Sequence, residues 1–224
     1  MPDAIPLLPE NSFLMQTEEL AKEKATGRVY LSKRFFDIAF SLLIICCILL
    51  WVVPLIALLI KLESKGPVFF RQLRTGKDGR PFYCLKFRSM RPNTQADYVQ
   101  ARRNDARITV VGAYLRKTSL DELPQFFNVL RGEMSIVGPR PHMLAHTEEY
   151  TQLIENFMDR HLIMPGITGL AQVSGHRGET RDVEAMAKRV EADIHYLHNW
   201  SFWLDVKIIW LTFKQVLVVE DHVF

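Results

Sequence analysis

The chain has 224 residues, 48% of them apolar, which is ordinary for a globular protein and allows one medium domain with appendages. Its net charge of +3 hides an asymmetry: residues 65–117 hold thirteen Lys/Arg against Asp78, Asp97 and Asp105, a balance of +10, so the remainder sums to −7. Three cysteines (the neighbours Cys46 and Cys47, and Cys84 alone) exclude a disulfide framework and a zinc site of the usual ligand spacing, and read as a reducing compartment.

Residues 1–28 form a polar, Pro-containing leader, partly helical at 17–24, without the apolar centre or cleavage pattern of a signal peptide. Lys33-Arg34 then precede an uncharged apolar run at 38–60. Its 23 residues make roughly 35 Å of straight helix at about 1.5 Å per residue, enough for a bilayer core of about 30 Å. A single-pass anchor is the plainest reading. Two features favour another. Pro54 removes a backbone bond and clashes with the preceding turn. Positive charge also flanks both ends, Lys33 and Arg34 before the run and Lys61, Lys65, Arg71 and Arg74 after it. A spanning helix would strand one cluster outside, against the positive-inside tendency. A re-entrant helix that enters, breaks at Pro54 and returns keeps both clusters in the cytoplasm.

Gly66-Pro67 marks a turn, and Val68-Phe69-Phe70-Arg71-Gln72 a short strand. Gly76-Lys77-Asp78-Gly79 signals a hairpin before a second strand, Pro81-Phe82-Tyr83-Cys84-Leu85-Lys86-Phe87-Arg88. Residues 94–103 are polar, helical or a surface loop. Residues 110–116 lead into Ser119-Leu120-Asp121-Glu122-Leu123-Pro124-Gln125, where a helix over 121–130 should stop near Gly132. Residues 142–161 and 181–198 are helical by pattern. Residues 200–219 carry three of the four tryptophans; this is either a helix lying in a membrane interface, where indoles gather, or an aromatic core helix.

Asp121-Glu122 is the most informative pair. As structure, Pro124 suits a helix first turn, which makes Asp121 a natural N-cap and gives Ser119 with Glu122 a competing capping box. As chemistry, an ionised carboxylate there could attack phosphorus and divide one transfer into two easier steps, while its neighbour takes or orients a proton of the second substrate. Two carboxylates facing a diphosphate repel it, so cations are required: Arg, Lys and a divalent ion such as Mg²⁺. Arg116 lies five residues before Asp121. Lys86 and Arg88 alternate along a strand and so share a face. Arg140 is fixed between two prolines in Gly138-Pro139-Arg140-Pro141, a rigid presentation of a planar fork suited to phosphate. Pro165-Gly166-Ile167-Thr168-Gly169 and Ser174-Gly175-His176-Arg177-Gly178 are turn-rich loops able to contact a nucleotide. A solvated arginine or a loop salt bridge would look the same, so spacing alone stops at membrane-bound phosphate chemistry.

The ordered motifs go further. Lys33-Arg34-Phe35-Phe36-Asp37, the Pro-broken run, Gly66-Pro67-Val68-Phe69-Phe70-Arg71-Gln72, Lys86-Phe87-Arg88-Ser89-Met90, the 115–125 segment, Val137-Gly138-Pro139-Arg140-Pro141 and Pro165-Gly166-Ile167-Thr168-Gly169 resemble those of the bacterial sugar transferases, monotopic polyprenyl-phosphate phosphoglycosyl transferases, from about residue 30 onward. The resemblance implies an α+β, mostly helical, membrane-associated fold with a re-entrant helix-break-helix, a small β-hairpin and interfacial amphipathic helices. It divides the chain into a leader (1–28), a membrane hairpin broken at Pro54 (29–64) and a catalytic domain (65–224) on the cytoplasmic face of a bacterial inner membrane. The implied reaction moves a sugar 1-phosphate from a UDP-sugar to undecaprenyl phosphate with Mg²⁺, initiating exopolysaccharide or capsule assembly. Carried over, Asp121 is nucleophile and metal contact, Glu122 its partner, and Arg116, Arg140, Lys86 and Arg88 bind phosphate. Membrane lipids are partners, nucleic acid is not, and a homo-oligomer stays open.

Two departures stand out. The family often has Ser-Pro at the break, where this chain has Val53-Pro54, and larger members carry an N-terminal multi-span region, which places this chain with the short forms or as a domain of a longer one. The C-terminal stretch Gly175-His176-Arg177-Gly178-Glu179-Thr180, with His198-Asn199-Trp200-Ser201-Phe202-Trp203-Leu204-Asp205-Val206-Lys207, is most similar to the glucose-1-phosphate transferases. UDP-glucose is the first expectation for the donor and UDP-galactose the second. The competing readings are a membrane-tethered basic protein that binds anionic lipid or nucleic acid without catalysis, and a structural subunit of a polysaccharide-export complex.

Overall fold

The computed structural model describes residues 28–92, 105–176 and 182–217; the leader at 1–27 and the polar stretch at 94–103 lie outside them. The apolar run is one long helix. α1 (Arg28–Ile44) passes through a π-helical turn (Ile45–Leu49) into α2 (Leu50–Glu63). The 34 residues Tyr30–Glu63 form a helix long and apolar enough to cross a membrane. The chain stays helical through Pro54, where a break was expected. Proline deletes one donor, the N–H that would reach the carbonyl of Leu50; the wider turn just before it, at 45–49, carries the irregularity.

Both ends of this helix are fastened to the same domain. Near its start, the Arg34 guanidinium donates to the carbonyls of Val129 (2.6 Å) and Leu130 (3.0 Å), Lys33 pairs with Asp205 at 2.6 Å, and the Asp37 carboxylate accepts from Ser135 Oγ and the Ile136 N–H. At its end, Glu63 accepts from the Val110 and Val111 N–H groups at 2.5 and 2.9 Å, satisfying two orphan donors of the next helix. Between these anchors Leu49, Ile56 and Ile60 are buried, while Phe35, Leu42, Trp51, Leu55, Leu58 and Leu62 are exposed.

Arg88, expected to share a face with Lys86 as a phosphate binder, belongs to this fastening instead. Its strand ends at Phe87, so the strand alternation no longer sets its direction. Its buried guanidinium donates to the carbonyls of Lys65 (2.8 Å) and Ser64 (2.7 Å). Arg88→Met should therefore cost about 1–3 kcal/mol through lost hydrogen bonds from a charged donor to partly buried carbonyls, seen as a lower thermal midpoint in detergent. An unchanged midpoint would remove Arg88 as the clasp.

β1 (Phe69–Thr75) and β2 (Pro81–Phe87) form the expected antiparallel hairpin, in register from Phe69↔Phe87 to Thr75↔Pro81. Asp78 at φ 54° and Gly79 at φ 73° make the turn. α3 (Val110–Lys117) is capped by Thr109, whose side chain accepts from the Gly112 N–H. α4 (Gln125–Arg131) stops at Gly132, which takes the left-handed φ of 82°. β3 (Ser135–Val137) and β4 (Gly166–Thr168) make a parallel pair within loops that had no strand signal.

Residues 142–161 are not one helix. α5 (Leu144–Leu153) ends, Asn156 turns at φ 58°, and a 3₁₀ segment (Phe157–Leu162) follows. The break lets Phe157, Arg160 and His161 be buried together. After α6 (Leu170–Val173), α7 (Val183–Asn199) and α8 (Phe202–Leu217) complete the described residues. The core joins Leu49 of the long helix to Phe82, Phe126, Ile136, Tyr196 and Ile208. The aromatics of α8 are not in it: Trp203 is 76% and Phe213 54% exposed, and Asp205 and Ile208 face inward. That excludes the aromatic-core reading. Phe36 meets Phe202 edge-on at 5.4 Å, so α8 begins against the long helix.

Candidate active site

The segment around Asp121 does not cap a helix. Ser119 adopts a left-handed φ of 58°, Leu120–Glu122 form a single 3₁₀ turn, and α4 begins only after Pro124, with no side-chain cap at either start. A non-glycine residue held at positive φ costs energy, and such positions gather at functional sites. The turn leaves Asp121 buried with its carboxylate making no hydrogen bond or ion pair within the described residues. An ionisable group buried without a partner is expensive. Stability does not explain it.

Glu122 is the opposite. Lys86 Nζ donates to its Oε1 at 2.7 Å, and the Arg140 fork reaches Oε1 at 2.6 Å and Oε2 at 3.2 Å. Lys86 comes from β2 and Arg140 from the Gly138-Pro139-Arg140-Pro141 loop, so three separate segments meet on one carboxylate. Buried Asn128 steadies the meeting: its Oδ1 accepts from the Leu85 N–H and its Nδ2 donates to the Tyr83 carbonyl, tying α4 to β2. Arg116 rides on α3, where its Nε donates to Ser89 Oγ at 2.9 Å. A side chain at Gly112 would collide with the backbone of Ser89, so the glycine is what lets α3 sit close enough.

The two carboxylates differ electrostatically. Burial pushes the Asp121 carboxyl up, with the Glu122 charge adding to the effect and Lys86, Arg116 and Arg140 offsetting only part of it. Burial also acts on Glu122, but the charges and hydrogen bonds of Arg140 and Lys86 outweigh it and hold that carboxyl well below the usual range. Glu122 is a fixed anion that gathers cations. Asp121 is an unengaged carboxylate beside them.

Of the residues singled out from sequence, Asp121, Glu122, Lys86, Arg116 and Arg140 come together; Arg88 and Pro54 belong to the long helix and its fastening. Arg177 and Gly178 lie outside the described residues. Sequence reading missed Asn128 and a buried ion pair, Arg160–Asp193, behind Arg140. The latter had a signal. Asp193 sits among Met186, Val190, Tyr196 and Leu197 on the buried stripe of α7, and a charge at core spacing needs a partner.

A divalent cation fits this site in one way. Both Glu122 oxygens are taken, and no group of three or more His, Cys, Asp or Glu suited to a metal occurs among the described residues. Asp121 has oxygens to offer. Mg²⁺ commonly binds through one or two carboxylates plus substrate phosphates, a role open to the Asp121 carboxylate.

A family model described as bacterial sugar transferase matches residues 28–219. The chain is 56% identical over 181 residues to a UDP-glucose:undecaprenyl-phosphate glucose-1-phosphate transferase of Klebsiella pneumoniae, covering 80% of this chain and 39% of that protein. A Caulobacter vibrioides protein of the same name is 47% identical over 86% of this chain and 72% of its own length. An Aeromonas hydrophila UDP-N-acetylgalactosamine-undecaprenyl-phosphate N-acetylgalactosaminephosphotransferase is 46% identical over 72% of this chain and 38% of its own. The chain thus spans under two fifths of the Klebsiella pneumoniae relative and of an Escherichia coli relative with the same name as it. With these matches running through the Asp121 segment and the Arg140 loop alike, the chain belongs to the bacterial sugar transferase family.

Proposed function

We propose that this chain transfers glucose 1-phosphate from UDP-glucose to undecaprenyl phosphate, with Asp121 as a covalent nucleophile. The observation that carries the reading is the Asp121 carboxylate, 5% exposed and without a hydrogen bond or ion pair among the described residues, beside Lys86, Arg116 and Arg140. An Asp121 oxygen attacks the sugar-side phosphorus of the donor; the P–O bond to the nucleotide breaks, and its electron pair leaves on UMP. A phosphate oxygen of undecaprenyl phosphate then attacks the aspartyl phosphosugar, forming the lipid diphosphosugar and restoring the Asp121 carboxylate. The acceptor phosphate, with a second pKa of about 6, is already anionic near neutrality, so the second step needs no strong base. That suits Glu122, which is too acidic to take protons and serves to aim Lys86 and Arg140 at the phosphates. Mg²⁺, held by Asp121 and the donor diphosphate, would neutralise charge on the leaving nucleotide.

The glucose assignment is supported by the names of the Klebsiella pneumoniae, Escherichia coli and Caulobacter vibrioides relatives. The decisive experiment is to incubate the enzyme with UDP-glucose alone, digest it and weigh the peptides. A hexose-phosphate adduct on the Asp121 peptide is expected. Its absence, with UMP release intact, would sink the covalent mechanism.

The site is proposed to work at the cytoplasmic face of the bacterial inner membrane, with the long helix re-entrant and both its ends on that face. Its bare apolar face is of the kind a bilayer covers, and both ends dock on one domain, which a spanning helix would have to pull apart. The outward Trp203 and Phe213 of α8 suit the headgroup layer beside it. Cysteines introduced as Arg28→Cys and Lys65→Cys, in a chain cleared of its own cysteines, should both be labelled from the cytoplasmic side. Labelling from opposite sides would mean a spanning helix.

A further inference from the structure

Behind Arg140 lies a charged cluster that touches no reacting atom. Arg160 is 1% exposed, and its Nη2 donates to the backbone carbonyl of Arg140 at 3.0 Å. The same guanidinium pairs with the buried carboxylate of Asp193 at 2.6 Å, and its Nη1 donates to His142 Nδ1 at 2.7 Å. That nitrogen therefore carries no proton, in keeping with burial and the neighbouring Arg160 charge holding the His142 ring neutral. On its outer side the loop is held again, by Arg74 donating to the Pro141 carbonyl and the Thr75 N–H donating to the His142 carbonyl. One turn before Asp193 on α7, Arg189 donates to the His176 carbonyl.

A buried ion pair is a weak source of stability, because desolvation offsets much of its attraction. What this pair does is geometric. It presses a donor against the carbonyl of the residue whose side chain holds Glu122, with prolines on both sides so that a shift of the carbonyl swings the guanidinium. We propose that Arg160 and Asp193 are positioning residues that set the Arg140 guanidinium for the donor diphosphate. This rests on the transferase reading above. Displacement of a binding group by about 1 Å costs on the order of 10²-fold in rate, so losing the brace should be felt in donor use.

The test is steady-state UMP release with full-length enzyme, varying UDP-glucose at saturating undecaprenyl phosphate. Asp193→Asn should raise the donor KM about tenfold or more, with a smaller change in kcat. The double variant Arg160→Met/Asp193→Leu, which replaces the pair with apolar side chains and keeps the core filled, should melt near the parent and show the same rise. In an Arg140→Ala background neither change should have a further effect, since nothing remains to be positioned. A parental KM in the folded double variant overturns the proposal, and so does a KM rise that multiplies with that of Arg140→Ala. Asp121→Asn run in parallel separates the two readings. If it keeps its activity the transferase mechanism fails, whereas an inactive Asp121→Asn with unaffected Asp193→Asn refutes only the positioning role.

Discussion

Asp121→Asn should reduce UMP release from UDP-glucose by about 10⁴-fold or more, the scale seen when a member of a nucleophilic apparatus is removed, and no adduct should form on that peptide. The amide keeps the shape of the side chain and removes the anionic oxygen proposed to attack phosphorus, so the expected loss belongs to chemistry and not to packing. Stability should move the other way. Burial raises the Asp121 carboxyl, so ionising it costs the folded state more than the unfolded chain. That cost is absent below the unfolded carboxyl pKa of about 3.9 and appears as pH rises through the higher folded value. Asp121→Asn should therefore melt above the parent at pH 7, with the difference shrinking as the solution is acidified toward pH 3. A variant that is both inactive and less stable at pH 7 would mean that Asp121 is a structural group. In the parent, donor kcat/KM should likewise fall on the acid side at a pH above the ordinary carboxylate range, as the Asp121 carboxylate takes up a proton.

Local chemistry made some of this molecule readable and left the rest hidden. The Gly76-Lys77-Asp78-Gly79 turn fixed the hairpin, and with it the direction of Lys86; Gly132 marked the end of α4 because only a left-handed residue closes that helix. The β3–β4 pair was not readable. Each strand has three residues, and what holds them is the meeting of loops far apart in sequence. Arg88 misled for a related reason. Alternation along β2 is a sound guide only while the strand lasts, and it ends one residue earlier, so the side chain turned to the carbonyls after α2. Asn156 shows the opposite difficulty. Periodicity carried a helix through it, whereas burial of Phe157 and Arg160 demanded a change of phase. The Asp121-Glu122 pair was legible as candidate chemistry, with Asp121 assigned as nucleophile through the family resemblance, but the electrostatic difference between the two was not. Which carboxylate is clamped and which is left open depends on Lys86 and Arg140, brought from segments 36 and 18 residues away.

That division predicts the effect of Arg140→Ala. Removing the fork leaves Glu122 with Lys86 alone, and loses a pre-aimed cation for the donor phosphates. Loss of one such preorganised group typically costs about 10²–10³-fold, here in donor kcat/KM and chiefly through a higher donor KM, and the half-paired carboxylate should lower stability by about 1–2 kcal/mol. Arg140→Lys should recover the stability but only part of the rate, because an ammonium keeps the charge and cannot span both Glu122 oxygens as the planar fork does. Glu122→Gln provides the control. It should free Lys86 and Arg140 together and remove the like charge beside Asp121, so the acid limb of donor kcat/KM should move to lower pH even as the rate falls. An acid limb that stays in place in Glu122→Gln would mean that the two carboxylates do not sense each other, and that Glu122 acts on the phosphates by a route other than the cations it holds.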